Sequence, residues 1–213
     1  MSSAEQNHDP ATAQQPEPKL RWFQFRLRSL FVLTFLVAIA CSWLAVTIQN
    51  QREQKLAVEA IRKEGGMVES EPTWLGRLLR DDSLVAIVTV SLSDTPTTDA
   101  GLMHLRGLSQ LKMLLLCDTK ITDAGLVHLQ GLSQLQSLFL DNTKITDIGL
   151  VHLQVLNGLR WLDLSGNQVT DAGLVHLEGL GQLQELTLKN TKVTDQGVKK
   201  LQPALPNCQI VFR

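Results

Sequence analysis

The sequence predicts an α/β solenoid, in which strand, turn and short helix recur along the chain, preceded by one transmembrane helix. Two observations support this fold class: a 24-residue repeat that runs from residue 84, and an uncharged 20-residue segment at residues 29–48. A domain takes roughly 100 to 150 residues, so a chain of 213 residues has room for one medium domain and an accessory segment. We therefore expect a single core, built by the repeats.

The N-terminal part of the chain predicts a tail followed by a membrane helix. Residues 1–20 are polar, rich in proline and without periodic apolar residues, so we expect a disordered tail. Residues 21–48 combine a basic and aromatic flank with the transmembrane span at 29–48. Twenty helical residues reach the roughly 30 Å of a bilayer core. The expected partner of this segment is the lipid bilayer, with Trp22 and Trp43 near its two surfaces.

The orientation of the span depends on the basic residues around it. Both flanks carry four of them, but those before the span, such as Arg26 and Arg28, stand without neighbouring acids at the membrane edge. This favours an N-terminus inside the cell and a repeat domain outside it, in the periplasm or at the surface. Two alternatives to a transmembrane anchor are a cleaved signal peptide and a lipoprotein signal at Cys41. The apolar run continues through Ser42–Ile48, which favours an uncleaved anchor.

Three further segments complete the predicted domain organisation. Residues 49–66 are polar and helix-favouring and predict a helical stalk. Residues 67–83 predict an N-terminal cap, in which apolar residues of Trp74–Leu79 recur at helical spacing. Residues 84–213 form the repeat domain of five 24-residue repeats plus a terminal strand. That strand, Cys208–Arg213, would close the far end with its apolar side chains.

Each repeat reads LxxLxLxxT followed by TDxGLxxL. The alternating apolar residues predict one strand, and the threonine or asparagine slot predicts a turn; the slot holds Thr95, Thr119, Thr143, Asn167 and Thr191. The Thr-Asp pair predicts a helix start. We expect Asp99, Asp123, Asp147, Asp171 and Asp195 to be helix N-caps rather than a calcium array. Stacked units give parallel strands on a concave face and short helices on a convex face.

These blocks resemble leucine-rich repeats of the cysteine-containing and ribonuclease-inhibitor-like types. The TDAGLxxL form is also similar to arrays in bacterial single-pass membrane-anchored leucine-rich-repeat proteins, in which a stretch like RWFQFRLRSL leads into the apolar span. The resemblance implies recognition of a protein or peptide on the concave face. It also implies that the domain has no catalytic activity and needs no cofactor.

Strand alternation selects candidate binding residues on the concave face. Leu111, Leu114 and Leu116 would point into the core, while the residues between them would point outward. Applied to every repeat, this predicts a central apolar patch of Met113, Leu115, Phe139 and Trp161, rimmed by Asp141, Asp163, Glu185 and Lys189. Such a patch is typical of a contact surface. Alternatively, the chain's own stalk or cap covers it, or the residues are simply tolerated in solvent.

Composition and motifs argue against several other functions. Twenty basic and 21 acidic residues give no charge excess that would attract nucleic acid. No nucleophile elbow, phosphate loop, HExxH or dinucleotide motif is present, so we expect no enzyme. The in-phase His104, His128, His152 and His176 fall on separate convex helices, too far apart to share a metal ion, and the three cysteines predict free thiols. The sequence thus predicts a membrane-anchored recognition module; the alternative is a self-associating, structural protein of the envelope.

Overall fold

A computed structural model of the protein describes residues 19–73, 77–78 and 85–213. The chain divides into two compact units, of which the first ends at Ile48 and the second covers Gln49–Arg213. Helix α1, Lys19–Lys63, contributes residues to both units. All but the last two residues of the predicted tail at 1–20 lie outside the described residues.

Within the first unit, α1 carries large apolar side chains on its surface. Phe31 and Phe35 are both 67% exposed, and the aliphatic residues between them are exposed as well. Among the described residues, the stretch from Phe31 is the one whose length and composition would allow a helix to cross a membrane. A signal sequence has the same properties, so this N-terminal apolar helix fits either a signal or an anchor.

The second unit is built on one sheet. In the described residues its strands are β1 Met67–Pro72, β2 Val85–Ser91, β3 Met113–Leu115, β4 Ser137–Phe139, β5 Trp161–Asp163, β6 Glu185–Thr187 and β7 Gln209–Val211, in that spatial order. β1 runs antiparallel to β2, and every later pair is parallel. Each parallel pair joins residues 24 positions apart, such as Leu114 with Leu138, so the period of the sequence becomes the register of the sheet. The predicted solenoid with a parallel sheet is confirmed.

Short helical segments return the chain between the parallel strands. They are the 3-10 helices Gly101–Leu105, Val127–Leu129, Val151–Leu153 and Gly173–Leu177 and the α-helices α2 Asp123–Leu126, α3 Asp147–Leu150 and α4 Asp195–Leu201. Their leucines pack against the strand leucines. In the second repeat Leu111, Leu114, Leu116, Leu126 and Leu129 are all fully inaccessible to solvent. The core therefore lies between sheet and helices, as the repeat predicts.

The turn after each strand uses two adjacent positions. The first has a left-handed backbone, at Asp94, Asp118, Asn142, Gly166 and Asn190, which are residue types that tolerate positive φ. The second is the predicted threonine or asparagine slot. The Thr119 hydroxyl, for example, is buried and donates to the Leu116 carbonyl at 2.7 Å. The slot thus satisfies a backbone group that would otherwise be buried without a partner.

The recurring aspartates have a different role from the one predicted. At the start of α2 the Thr122 hydroxyl accepts from the Ala124 amide at 3.3 Å, so threonine is the N-cap. Asp99 instead reaches the next repeat, where its carboxylate accepts from the Thr122 amide at 2.8 Å and from the Thr122 hydroxyl at 2.7 Å. The assignment of the aspartates as N-caps is therefore wrong. Three further pairs repeat this contact between neighbouring repeats: Asp123 with Thr146, Asp147 with Thr170 and Asp171 with Thr194.

This aspartate–threonine contact explains the glycine two positions later in the motif. A Cβ atom on Gly125 would lie 2.5 Å from the Asp99 carboxylate oxygen. Glycines at the same phase in the later repeats face the aspartate of the preceding repeat in the same way. The glycine thus makes room for the carboxylate that joins two repeats.

The N-terminal end of the repeat array differs from the prediction. Ala57 and Ile61, from the part of α1 that was predicted as a stalk at 49–66, are 4% and 1% exposed and belong to the core. In the first repeat, which no aspartate precedes, the Glu64 carboxylate lies over Gly101 and accepts from the hydroxyl of Thr97, one residue before the in-phase threonine, at 2.6 Å. The end of α1 and strand β1 therefore cover the first repeat.

Two further predictions concern the ends of the domain. Of the predicted cap segment Trp74–Leu79, residues 77–78 are described, and Leu78 is 68% exposed; the other residues of the segment lie outside the described residues. At the other end, β7 adds to the sheet as predicted, and Ile210 and Phe212 pack, partly buried, against the core.

Candidate binding surface on the concave sheet

The outward positions of the strands form continuous ladders across β2 to β7. The first joins Thr89, Met113, Ser137, Trp161, Glu185 and Gln209, and the second joins Ser91, Leu115, Phe139, Asp163, Thr187 and Val211. These are the rows that strand alternation predicts. Asp141 and Lys189 lie two residues beyond Phe139 and Thr187, just past the ends of their strands.

The four apolar residues of the predicted patch lie on β3, β4 and β5. Leu115 and Phe139 are directly paired and half-buried. Met113 and Trp161 lie on either side of Ser137 and are 37% and 38% exposed. Ser137 itself is only 4% exposed, so larger neighbours cover it. The structure therefore brings the four residues together around one small polar side chain.

Carboxylates border the aromatic residues of this patch. Asp163 is paired with Phe139 across the β4–β5 ladder, and its carboxylate accepts from the Ser165 amide at 2.8 Å. Glu185 is paired with Trp161 and is exposed. Lys189, also exposed, brings the opposite charge to the same side. The aromatic rings thus lie next to negative charge, an arrangement that suits a cationic group of a ligand.

Cys117 lies beside the patch, and its thiol is less acidic than a free thiol. Burial raises the pKa of its thiol to about 11, and a hydrogen bond to Asp141 acts in the same direction. A thiol with this pKa stays protonated near neutral pH and donates a hydrogen bond instead of attacking a substrate. Cys41, Cys117 and Cys208 are all free cysteines in the structure.

The histidines on the convex side interact with the preceding repeat. The Gln130 amide lies 3.1 Å from Nδ1 of His152, and Gln154 lies 2.6 Å from Nδ1 of His176. His128, whose Nδ1 is buried without a partner, has a lowered pKa because of burial and the nearby charge of Arg106. The described residues contain no group of three or more potential metal ligands.

Sequence reasoning missed a second exposed apolar surface, on the helical side. Four of its residues recur every 24 positions: Met103, Val127, Val151 and Val175. Their exposed fractions range from 36% at Val127 to 54% at Val175. Ile148 and Val155 add to them in the third repeat. The signal was present in the GLxHL motif of the first four repeats, whose variable position is methionine or valine. Periodicity alone does not reveal whether such a position is buried.

Comparison with known proteins identifies the repeats. Residues 109–169 and 133–193 match the family model described as leucine rich repeat. No curated protein sequence is significantly similar to this chain.

Several solved structures resemble the fold. The leucine-rich-repeat ectodomain of the receptor kinase SOBIR1 from Arabidopsis thaliana is 18% identical, with a TM-score of 0.51 over 76% of this chain and 91% of that chain. The structure of PEPR1-AtPEP1 is 17% identical, with a TM-score of 0.41 over 62% of this chain and 18% of that chain. An internalin of Listeria monocytogenes is 18% identical, with a TM-score of 0.40 over 65% and 53% of the two chains.

The match to the family model, the 24-residue register of the sheet and the similarity to the SOBIR1 ectodomain agree. The chain contains leucine-rich repeats that fold as a solenoid with a parallel sheet.

Proposed function

We propose that this protein is a membrane-anchored leucine-rich-repeat protein that binds a protein or peptide on the concave face of its sheet. The observation that carries the proposal is the exposure of Trp161 and Met113, at 38% and 37%, on a face where the fold requires no apolar residue. Exposed apolar groups that cluster on one surface are typical of contact sites. Solenoids also present extended concave surfaces that suit protein ligands.

Within this surface, the aromatic and charged residues have different roles. Trp161 and Phe139 are the anchors, because large aromatic side chains dominate the energy of most interfaces. Asp141, Asp163 and Glu185 form a rim that favours basic groups on the ligand, with Lys189 as the opposing charge. The anchors supply affinity, and the rim orients the ligand.

The apolar helix supports the membrane part of the proposal. Its exposed residues from Phe31 onward would be stable in lipid and costly in water. The basic residues before the span favour an N-terminus inside and repeats outside. The domain acts by binding, without catalysis of its own.

Site-specific photo-crosslinking in the native membrane tests the concave face. The photoreactive amino acid p-benzoylphenylalanine replaces Phe139 in the full chain, and a matched control carries it at Gln196, an exposed residue of α4 on the convex side. We expect an adduct from position 139 that is absent from position 196 and that is lost when Trp161→Ala is added. Adducts of equal yield at both positions, or an adduct that Trp161→Ala leaves intact, would show that the patch is not the site.

The sidedness of the repeats is tested separately. A reporter that is active in only one compartment is fused after Arg213 in the full chain. Activity outside agrees with the proposed topology. Activity inside contradicts it and moves the search for partners to the cytoplasm.

A further inference from the structure

The convex side carries a strip of repeat positions that hold no charged residue, and the Glu53 side chain of α1 lies beside its first end at Gly107. In each of four successive repeats, the three helical positions in phase with Ile148, Val151 and Val155 are exposed, and all of them hold Ala, Gly, Val, Ile or Met. We call these positions the convex strip. In the fifth repeat the corresponding positions hold Gln196, Lys199 and Pro203, so the strip ends there. An uncharged, exposed strip of this extent is typical of a contact surface.

The convex strip is uneven at its third repeat. Its third repeat projects two large side chains, Ile148 and Val155, which are 73% and 52% exposed. The other three repeats have Ala and Gly at the same two phases, as Ala124 and Gly131 in the second. The third repeat therefore forms a pair of projections, and the second and fourth repeats on either side of it each form a pair of depressions.

We infer that a second copy of this chain docks on the convex strip in an antiparallel arrangement. The two-fold axis lies in the interface, perpendicular to the length of the solenoid, and passes between the second and third repeats. It places the third repeat of each copy against the second repeat of the other. Ile148 and Val155 then meet Ala124 and Gly131 of the second copy. One patch that is complementary to itself is what a two-fold interface requires.

The charged residues beside the strip support the same arrangement. The row next to it consists of Arg106, Gln130, Gln154 and Glu178, all exposed and 24 residues apart. Reversing this row places Arg106 opposite Glu178 of the second copy, twice per dimer, and Gln130 opposite Gln154. A parallel arrangement, with its two-fold axis along this row, would instead place Arg106 against Arg106 and Glu178 against Glu178. Charge complementarity therefore selects the antiparallel dimer.

This inference does not depend on the concave binding site. The dimer covers the helical side of each array, so the patch around Trp161 on the opposite face of the sheet stays accessible. Two anchored copies would then present two concave faces together, which raises the apparent affinity for a ligand with two binding segments.

Charge reversal with rescue tests the dimer. The full chain in detergent micelles is studied by sedimentation velocity over a range of concentrations. Arg106→Glu and Glu178→Arg should each weaken dimerisation at least tenfold, roughly, because each variant places two pairs of like charge in the interface. Mixed in equal amounts, the two variants should form a heterodimer with about the wild-type affinity, within roughly threefold, since both of its pairs are again attractive.

A second pair of variants tests the apolar contact. Ile148→Asp should abolish the dimer, whereas Gln196→Asp, at the same phase outside the strip, should leave it unchanged. Both positions are exposed in the first turn of a helix, where an acid is favourable, so neither variant should unfold the repeats. A monomer at every concentration overturns the inference. So does a dimer that ignores charge reversal, a mixture without rescue, or an Ile148→Asp variant that still dimerises, because association would then lie elsewhere, for instance on α1.

Discussion

Asn167→Ala should destabilise the repeat array more than any other single exchange in the turn slots. Asn167 is 3% exposed and connects two repeats. Its amide oxygen accepts from the Thr143 hydroxyl at 2.8 Å and from the Ile145 amide at 2.9 Å. Its amide nitrogen donates to the Leu140 carbonyl at 2.7 Å and to the Leu164 carbonyl at 3.2 Å. Threonines in the other slots make fewer of these bonds.

The expected loss follows from the groups that alanine leaves without a partner. The Ile145 amide would be buried without an acceptor, which costs about 1 to 3 kcal/mol. The Leu164 carbonyl would lose its bond as well, whereas the Leu140 carbonyl lies 2.7 Å from the Thr143 hydroxyl, whose single proton could then be donated to it instead of to Asn167. We therefore expect a total loss of about 3 kcal/mol. Asn167→Thr keeps a hydroxyl for the Leu164 carbonyl, and its loss should be about half as large.

Hydrogen exchange of the full chain in detergent micelles measures this loss locally. Peptides that contain Ile145 should exchange roughly 100-fold faster in Asn167→Ala than in wild type, since 1.4 kcal/mol corresponds to a factor of ten. Asn167→Thr should lie between the two. If Asn167→Ala and Asn167→Thr were protected equally, the reasoning would be refuted, because the bridging amide would then not hold these repeats together.

Three further predictions concern the contacts between repeats and the concave thiol. Gly125→Ala should lower the free energy of urea unfolding by about 1 to 3 kcal/mol, although alanine has the better helix propensity. The loss should be smaller in an Asp99→Ala background, which lacks the carboxylate that the new Cβ atom would meet. Asp171 has a lowered pKa, chiefly because the hydroxyl of Thr194 in the next repeat donates to its carboxylate. The stability that this carboxylate contributes is therefore present above the ordinary carboxyl pKa and is lost as the pH falls from there through the lowered pKa. If Asp171→Asn left the stability–pH profile unchanged in acid, this prediction would be contradicted. Alkylation of Cys117 by iodoacetamide should be slow at neutral pH and accelerate towards pH 11, and Asp141→Asn should shift this profile to lower pH; a fast reaction at pH 7 would disprove the raised pKa.

The sequence was sufficient to predict the repeating part of the fold. A 24-residue period fixes the register of neighbouring strands, and alternation within the strand fixes which residues are buried, so that Leu114 faces the core and Met113 the solvent. The concave rows could be assigned for the same reason. Both inferences use local geometry that every repeat shares.

Contacts between repeats could not be assigned in this way. Asp99 and Thr122 are adjacent to good capping positions in their own repeats, and the sequence does not indicate that the aspartate side chain reaches forward to the next one. The array's first end was also unpredictable, because Ala57 and Ile61 belong to a helix without a strong apolar periodicity. What covers the first repeat depends on the packing of segments that are not part of the period.

The repeats also provide an internal comparison that separates structural from functional positions. Positions that join neighbouring repeats hardly vary along the array: the aspartate and the glycine recur in all five copies, and the core leucines recur except at Ile87, Val90 and Val198. The outward strand position, by contrast, runs through Thr89, Met113, Ser137, Trp161 and Glu185, although each copy occupies the same place in the sheet. Because the fold imposes the same demands on every copy, it cannot be the reason for this variation. The proposed partner, which would contact each copy at a different point of its own surface, would account for a tryptophan at one copy and a glutamate at the next.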